Sequence, residues 1–244
     1  ALQELERFLL NTTGIMRDVL DGSEIGASQL SVGDYDGLTE VLQNTDDASG
    51  SYLDVAINHD TKIPKLLLKH NGFPINIRNV FAIVMSFVST KREESDSIGK
   101  FGVGLKALAK LSNTLEVHSG AYHFSVTGNR IKTIKRHRNV KGFYSTYSGE
   151  TLLVLPLNQG TRLEGLLSWF RNWSPSNLLF LRTVTSFKLK RLPGGRVLSS
   201  HSLSVESPAT AFTWKRGSFA KNVEVSRIKD IKLGIGWHRF SVKL

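Results

Sequence analysis

The chain has 244 residues, of which 40% are hydrophobic and 22% charged, a composition typical of a globular protein with a substantial core. It contains no cysteine, which excludes disulfides and thiolate metal sites, and no stretch resembles a signal peptide or a membrane span. Residues 1–130 hold 12 Lys/Arg against 16 Asp/Glu, whereas residues 131–244 hold 20 against 5. Because neither a signal peptide nor a membrane span is recognisable, we expect no membrane contact and a cytoplasmic location, and a nuclear location is also possible. The basic second half could attract nucleic acid, acidic protein or a membrane surface, or it could be a solvated face or a surface covered by a partner domain.

Helical periodicity dominates the first half of the chain. Apolar residues recur at helical spacing in Leu2–Leu20, about Gly37–Ala48, Asn76–Phe87 and Phe101–Leu111. Asp36 is the expected N-cap of the second of these helices. Two short strands, Tyr52–Ile57 and Lys65–Lys69, lie between helices, and Val88–Gly99 is a polar segment that we expect to be mobile.

Strand patterns dominate from Thr114 onward. The predicted strands are Leu115–His118, Tyr122–Thr127, Arg130–Lys135, Thr151–Leu155, Val184–Leu189, Arg196–Leu203, Ala211–Lys215, Val223–Ile228 and Trp237–Val242. Two further helices are predicted at Leu163–Trp173 and Asn177–Leu181. This order predicts an α+β fold with helices on one face of a mixed, mostly antiparallel sheet. We expect residues 1–192 to form the main domain and residues 193–244 a β-rich extension packed on it.

The second predicted helix carries an unusual polar face. Glu40, Asn44, Asp47 and Ala48 lie at positions i, i+4, i+7 and i+8, which share one side of a helix. If this side faces inward, its polar groups need partners, because an unpaired buried polar group costs about 1–3 kcal/mol. A metal–phosphate ligand would supply such partners. The alternative is that this side faces solvent while Val41 and Leu42 face the core.

A glycine-rich turn precedes the fourth predicted helix. Gly99, Gly102 and Gly104 allow backbone amides to approach a ligand closely, and the helix N-terminus that follows suits a phosphate. The spacing is neither that of a Walker A loop nor that of a dinucleotide-binding turn. By itself the turn is therefore only a weak sign of nucleotide binding.

The order of these motifs resembles the GHKL class of ATP-binding domains, which includes gyrase, heat-shock chaperones, histidine kinases and MutL. The resemblance narrows to the ATPase repeats of sacsin and NO VEIN-type proteins. It rests on four segments, which are Gln43–Ala48, Ser89–Glu93, Phe101–Leu105 and Leu178–Val184. It implies a GHKL (Bergerat) sandwich that binds ATP with Mg²⁺, within a larger chaperone-like or conformational-switch protein.

The resemblance also implies roles for individual residues. Glu40 would be the general base for the attacking water, Asn44 the Mg²⁺ ligand, and Asp47 and Ala48 part of the adenine side. The other implied ATP-binding residues are His70, Asn71, Gly72, Phe73, Lys91, Gly99, Phe101, Gly102, Val103, Gly104 and Thr151. His70 stands where most of the class has an aspartate, so adenine selectivity could rest on Asn71, Asp47 or water, or be relaxed.

Two other functions remain open at this stage. The basic residues between Lys132 and Lys141 favour an ATP-gated nucleic-acid protein of the gyrase, MutL or MORC kind. His70 favours a nucleotide sensor that binds without turnover. Such proteins couple nucleotide binding to dimerisation or to other domains, and we expect the chain to be part of a longer one because it starts without methionine.

Overall fold

Ten strands of the described chain hydrogen-bond into one sheet. The computed structural model describes residues 33, 35–88, 108–127, 130–161, 163–216, 219–231 and 234–242, together with residues 3, 4 and 7. The strands are β1 Tyr52–Asn58, β2 Lys65–His70, β3 Thr114–Ser119, β4 Tyr122–Thr127, β5 Arg130–Thr133, β6 Thr151–Pro156, β7 Ser186–Leu192, β8 Arg196–Arg216, β9 Phe219–Asp230 and β10 Gly236–Val242. Their order across the sheet is β10-β9-β8-β7-β1-β2-β6-β3-β4-β5.

Nearly every strand junction in this sheet is antiparallel. The exception among the described strands is the β1–β7 junction, where Tyr52 lies opposite Ser186 and Asn58 opposite Leu192 in parallel register. At the β2–β6 junction, on the far side of β2 from β1, His70 lies opposite Thr151. The long connection between β1 and β7 therefore contains β2 to β6, and its two ends meet at the centre of the sheet.

One face of the sheet is covered by helices α1 Asp36–Asp47, α2 Ile77–Val88 and α3 Leu163–Asn172, followed by a 3₁₀ helix, Pro175–Phe180. The main core lies between them. It joins buried strand residues such as Val55, Leu68 and Phe187 to Leu42 of α1 and Phe170 of α3. Because every second residue of a strand faces this layer, the apolar alternation in the sequence encodes it directly.

The opposite face of the sheet carries a smaller core and a charged network. The connection between β5 and β6 places Phe143 and Tyr144 on this face, against Leu67 and Val154. Lys190 contacts Asp54 at 2.6 Å, and Lys69 contacts Glu150 at 2.7 Å. Both lysines also lie over the ring of Phe143. The sheet is thus covered on both sides near its centre.

The observed architecture confirms the predicted fold class, with helices layered on a mixed, mostly antiparallel sheet. Most predicted strands and the helices α1, α2 and α3 are found within a few residues of their expected bounds. Strands β8 to β10 continue the same sheet beyond β7. No helix in the described ranges is long and apolar enough to span a membrane.

Three details differ from the sequence predictions. Helix α1 begins at Asp36 with Tyr35 as its N-cap residue, and the Asp36 carboxylate instead accepts the Gly33 N–H at 2.6 Å. The predicted strands Arg196–Leu203 and Ala211–Lys215 are one strand, β8, in which a register shift between Glu206 and Thr210 accommodates Pro208. The predicted helix Asn177–Leu181 is the 3₁₀ helix, which begins two residues earlier.

Candidate functional site

A cavity of about 270 Å³ opens between α1, the end of β2, α2 and the start of β6. It lies on the helix-covered face of the sheet. Its described lining residues are Val41, Asn44, Asp47, Ala48, His70, Phe73, Pro74, Ile75, Asn76, Asn79, Ala82, Ile83, Thr151 and Leu153. Apolar walls with a few polar groups at defined positions are the usual composition of a small-molecule site.

Helix α1 presents two different faces. Leu38, Val41 and Leu42 are buried in the core, whereas Asn44, Asp47 and Ala48 line the cavity at the edge of the helix. The predicted polar side is therefore neither fully buried nor turned away from the protein. The side chain of Asn44 has no hydrogen-bond partner among the described residues, so its amide is available to a ligand.

Glu40 lies one helical turn before Asn44 and is half-buried. Burial raises the pKa of its carboxyl group, and the negative charge of Asp47 raises it further. The two residues are seven positions apart, a spacing that places them on the same side of a helix. A half-buried carboxylate with a raised pKa is a stronger base than an ordinary glutamate, which is a property required of a general base.

The end of α1 is fixed by Asp46, a residue that the sequence motifs did not single out. Its buried carboxylate accepts the backbone N–H groups of Arg182, Thr183 and Val184 at 3.0, 2.6 and 3.0 Å, and the Thr183 hydroxyl at 2.9 Å. Burial alone would raise the pKa of Asp46, but these hydrogen bonds outweigh it and lower the pKa to about 2. The Arg182 side chain also contacts Asp47.

The turn after β2 brings the backbone directly under α1. The N–H of Phe73 donates to the carbonyl of Ala48 at 2.7 Å. A Cβ atom on Gly72 would come within 2.8 Å of the Ala48 Cβ and 3.0 Å of the Ala48 oxygen. Only glycine allows this approach, so Gly72 supports the cavity from behind, while the exposed ring of Phe73 lines it.

His70 is the last residue of β2 and is buried, with its ring in the cavity wall. Its Nδ1 atom accepts the N–H of Gly72 at 3.1 Å. Burial lowers the pKa of His70 to about 4, although the nearby charge of Glu150 acts in the opposite direction. The ring is therefore neutral at pH 7, and its proton is on Nε2.

Thr151 lies opposite His70 at the start of β6 and forms the floor of the cavity. Its Oγ1 is 2.5 Å from Oγ of Ser119, and Ser119 in turn accepts the N–H of Ile75 at 3.0 Å. Glu150, on the other face, is held by Lys69, by the Ser148 hydroxyl and by Tyr52, whose hydroxyl donates to it. These bonds fix the start of β6 and therefore the position of Thr151.

The wall formed by the start of α2 was not predicted. Asn76 caps α2 by accepting the N–H groups of Arg78 and Asn79 at 2.9 and 3.1 Å, and Asn79 accepts the N–H of Asn76 at 2.9 Å. This reciprocal pattern is a capping box. The sequence does contain the capping signal, because Asn76 and Asn79 are three residues apart just before an apolar run. That signal predicts the start of a helix and gives no reason to expect a binding site there.

The structure brings together part of the predicted site. Asn44, Asp47, Ala48, His70, Phe73 and Thr151 all line the cavity. Asn71 faces away, because its side chain accepts the N–H of Ser51 and donates to the Ser51 hydroxyl, both at 2.9 Å. Glu40 and Gly72 are not among the described lining residues of the cavity. Lys91, Gly99, Phe101, Gly102, Val103 and Gly104 lie outside the described residues.

The oxygen groups on α1 are chemically suited to a magnesium ion. Asn44 offers an amide oxygen and Asp47 a carboxylate, and both line the cavity. Hard oxygen donors, few in number and completed by phosphate and water, are the usual environment of Mg²⁺. No cluster of three His, Asp or Glu side chains suited to a metal occurs among the described residues.

No protein-family model matches the chain. Among solved structures, it is similar to the ATP-binding domain of topoisomerase IV from Francisella tularensis, determined in complex with a small-molecule inhibitor. That similarity has a TM-score of 0.40 and 14% identity, over 68% of this chain and 84% of that chain.

In sequence, the chain is similar to Protein NO VEIN of Arabidopsis thaliana. The two are 22% identical over 205 residues, which are 72% of this chain and 8% of that protein. This similarity confirms the resemblance that the motifs predict. The chain spans only about 8% of the length of this relative, so the relative's whole activity does not transfer to it.

Proposed function

We propose that this chain binds ATP with Mg²⁺ in the cavity beside α1 and hydrolyses it slowly, as one module of a larger conformational-switch protein. The observation that carries the proposal is the convergence of Asn44, Asp47, His70 and Thr151, from three separate elements, on one cavity. These positions belong to the motifs that resemble GHKL ATP-binding domains.

In this proposal the protein's own residues carry four tasks. Asn44 holds Mg²⁺, which when bound offsets the negative charge of the phosphates. Glu40 orients the attacking water and accepts its proton, for which its raised pKa is suited. His70, Phe73 and Thr151 hold the base. Lys91 and the segment Gly99–Gly104 would surround the phosphates, as the family resemblance implies.

The decisive experiment compares neighbouring residues of α1. We expect Glu40→Gln to bind Mg-ATP within about twofold of the parent but to lose phosphate release by about 10²–10⁴-fold, the usual contribution of a general base. We expect Asn44→Ala to lose the difference in ATP affinity between Mg²⁺ and EDTA. Gln43→Ala is the matched control, because Gln43 lies on the exposed side of the same helix.

Isothermal titration and a phosphate-release assay measure these effects. The assignment of α1 is wrong if Glu40→Gln and Asn44→Ala both behave like the Gln43→Ala control. If the parent binds Mg-ATP but releases no phosphate, the chain is a nucleotide sensor and not an ATPase.

A second candidate function is nucleic-acid binding beside the ATP site. Lys132, Lys135, Arg136, Arg138 and Lys141 are all exposed, in and after β5. Lysine and arginine contacts to phosphates release counterions, so duplex DNA binding through this cluster should weaken steeply with salt. If the logarithm of the DNA association constant does not change with the logarithm of the salt concentration, or if Lys135→Ala/Arg138→Ala leaves DNA binding unchanged, this candidate function is excluded.

A further inference from the structure

In the proposed function, His70 lies at the end of the cavity that binds the nucleobase, and its hydrogen bonds determine which groups a nucleobase would meet there. Its Nδ1 is occupied as an acceptor by the Gly72 N–H, and the neutral ring then carries its proton on Nε2. Nε2 has no partner among the described residues. Of the two ring nitrogens, the one left for a ligand is therefore a donor.

The Thr151 hydroxyl can also present a donor to the cavity. The Ser119 hydroxyl oxygen accepts the Ile75 N–H. Among the described residues, the Ser119 hydroxyl proton has one acceptor within reach, which is Thr151 Oγ1 at 2.5 Å. When Ser119 donates to Thr151, the Thr151 hydroxyl proton is left for the cavity. Ser119 and Thr151 are both buried, each 1% exposed, and Thr151 lines the cavity.

The wall of the cavity adds two further donors. The side-chain oxygens of Asn76 and Asn79 already accept backbone N–H groups at the start of α2. The amide nitrogens of these side chains are the atoms left for a ligand. Asp47 is the one carboxylate among the described lining residues, and it is in contact with Arg182 at the exposed rim.

We infer, resting on the proposed function, that this site recognises its base through acceptor atoms, so that a 6-oxopurine nucleoside triphosphate binds at least as tightly as ATP. The 6-oxo group of inosine or guanine accepts from the donors of His70 and Thr151. The exocyclic amino group of adenine would face N–H and O–H groups, and a donor facing a donor leaves both unpaired. His70 is then the specificity-determining residue.

The test uses Mg²⁺ complexes of ATP and ITP, which differ at position 6 of the purine and in the protonation of the adjacent N1. Titration of the parent chain should give an ITP affinity equal to or up to about tenfold above that for ATP, the range of one hydrogen bond. Purine riboside triphosphate, which has no substituent at position 6, should bind more weakly than ITP.

Two variants of nearly identical shape isolate the donor. In His70→Asn, one oxygen can accept the Gly72 N–H while the amide nitrogen still donates, so the ITP-to-ATP ratio should be kept. In His70→Asp, the second atom becomes an acceptor, and the ratio should shift at least tenfold toward ATP. His59→Asp is the control for the added charge, because His59 is exposed and outside the cavity lining.

The outcomes separate the two proposals. If the parent binds no purine triphosphate at all, the proposed function fails and this inference fails with it. If the parent binds ATP at least tenfold more tightly than ITP, the inference alone is overturned, and loss of that preference in Asp47→Asn would identify Asp47 as the group that reads the base. If His70→Asp does not fold, the ITP and purine riboside comparison on the parent still decides.

Discussion

The Asp46 carboxylate offers the sharpest test of how the site is held together. We expect Asp46→Asn to destabilise the fold by about 3 kcal/mol, because the new amide group presents N–H donors to the backbone N–H groups of Arg182, Thr183 and Val184. The control is Asp47→Asn, whose partner Arg182 is 69% exposed. An exposed ion pair is worth less than about 1 kcal/mol.

The pH dependence of this difference follows from the lowered pKa. Asp46 has a pKa of about 2 in the folded chain, against about 3.9 when unfolded. Its stabilisation is therefore complete above about pH 5 and decreases as the pH falls toward 2, by about 1–2 kcal/mol between pH 6 and pH 2.5. The parent should lose this amount relative to Asp46→Asn, which has no carboxyl group to protonate.

Urea unfolding followed by tryptophan fluorescence across this pH range measures both quantities. Equal costs for Asp46→Asn and Asp47→Asn, or a gap between parent and Asp46→Asn that stays constant with pH, would refute the reasoning. Weakened nucleotide binding in Asp46→Asn at pH 7 should accompany the loss of stability, since Asp46 holds the end of α1 that carries Asn44.

Three further predictions concern the fold around the cavity. Burial lowers the pKa of His70 to about 4, so between pH 7 and pH 5 this histidine becomes protonated in the unfolded chain but stays neutral in the folded chain. The parent should therefore lose about 2 kcal/mol of stability relative to His70→Asn between pH 7 and pH 5, measured by urea unfolding. Gly72→Ala should cost about 1–3 kcal/mol, because its Cβ would meet Ala48 at 2.8 Å, and a melting temperature equal to the parent's would contradict this. Phe187→Ala, in the main core, should lower the free energy of unfolding by about 3–5 kcal/mol in the same assay. A loss below 1 kcal/mol would mean that Phe187 is not central to the core.

The fold was largely predictable because its signals are periodic. Alternation marks the strands, and the apolar spacing of α1 and α2 follows from their packing on one face of the sheet. The break predicted inside β8 shows the limit of this reasoning. Pro208 interrupts a strand pattern in the sequence, but a register shift between Glu206 and Thr210 removes the need for its N–H.

The candidate site was predictable where a motif has a regular spacing, and not where it depends on distant pairing. Asn44, Asp47 and Ala48 share a helix side by their spacing alone, and this holds in the structure. Asp46, the neighbour of Asp47 in sequence, looks the same but is buried against residues 136 to 138 positions away. Helical spacing places Asp46 on the side of the buried Leu38 and Leu42, but the partners that donate to a buried carboxylate there are not visible in the local sequence. Likewise, the proton position on His70 depends on the fold of the turn that follows it.

The parallel junction of β1 and β7 has a consequence for how the chain folds. The two strands are separated in sequence by all of β2 to β6, and closing so long a loop is entropically costly and slow. The Asp46 carboxylate meets its partners beside this same junction, since Thr185 N–H donates to the Ser51 carbonyl next to the first paired residues. The cavity should therefore be assembled late during refolding, and a chain still emerging from the ribosome should not capture nucleotide before residues 182–192 have been made.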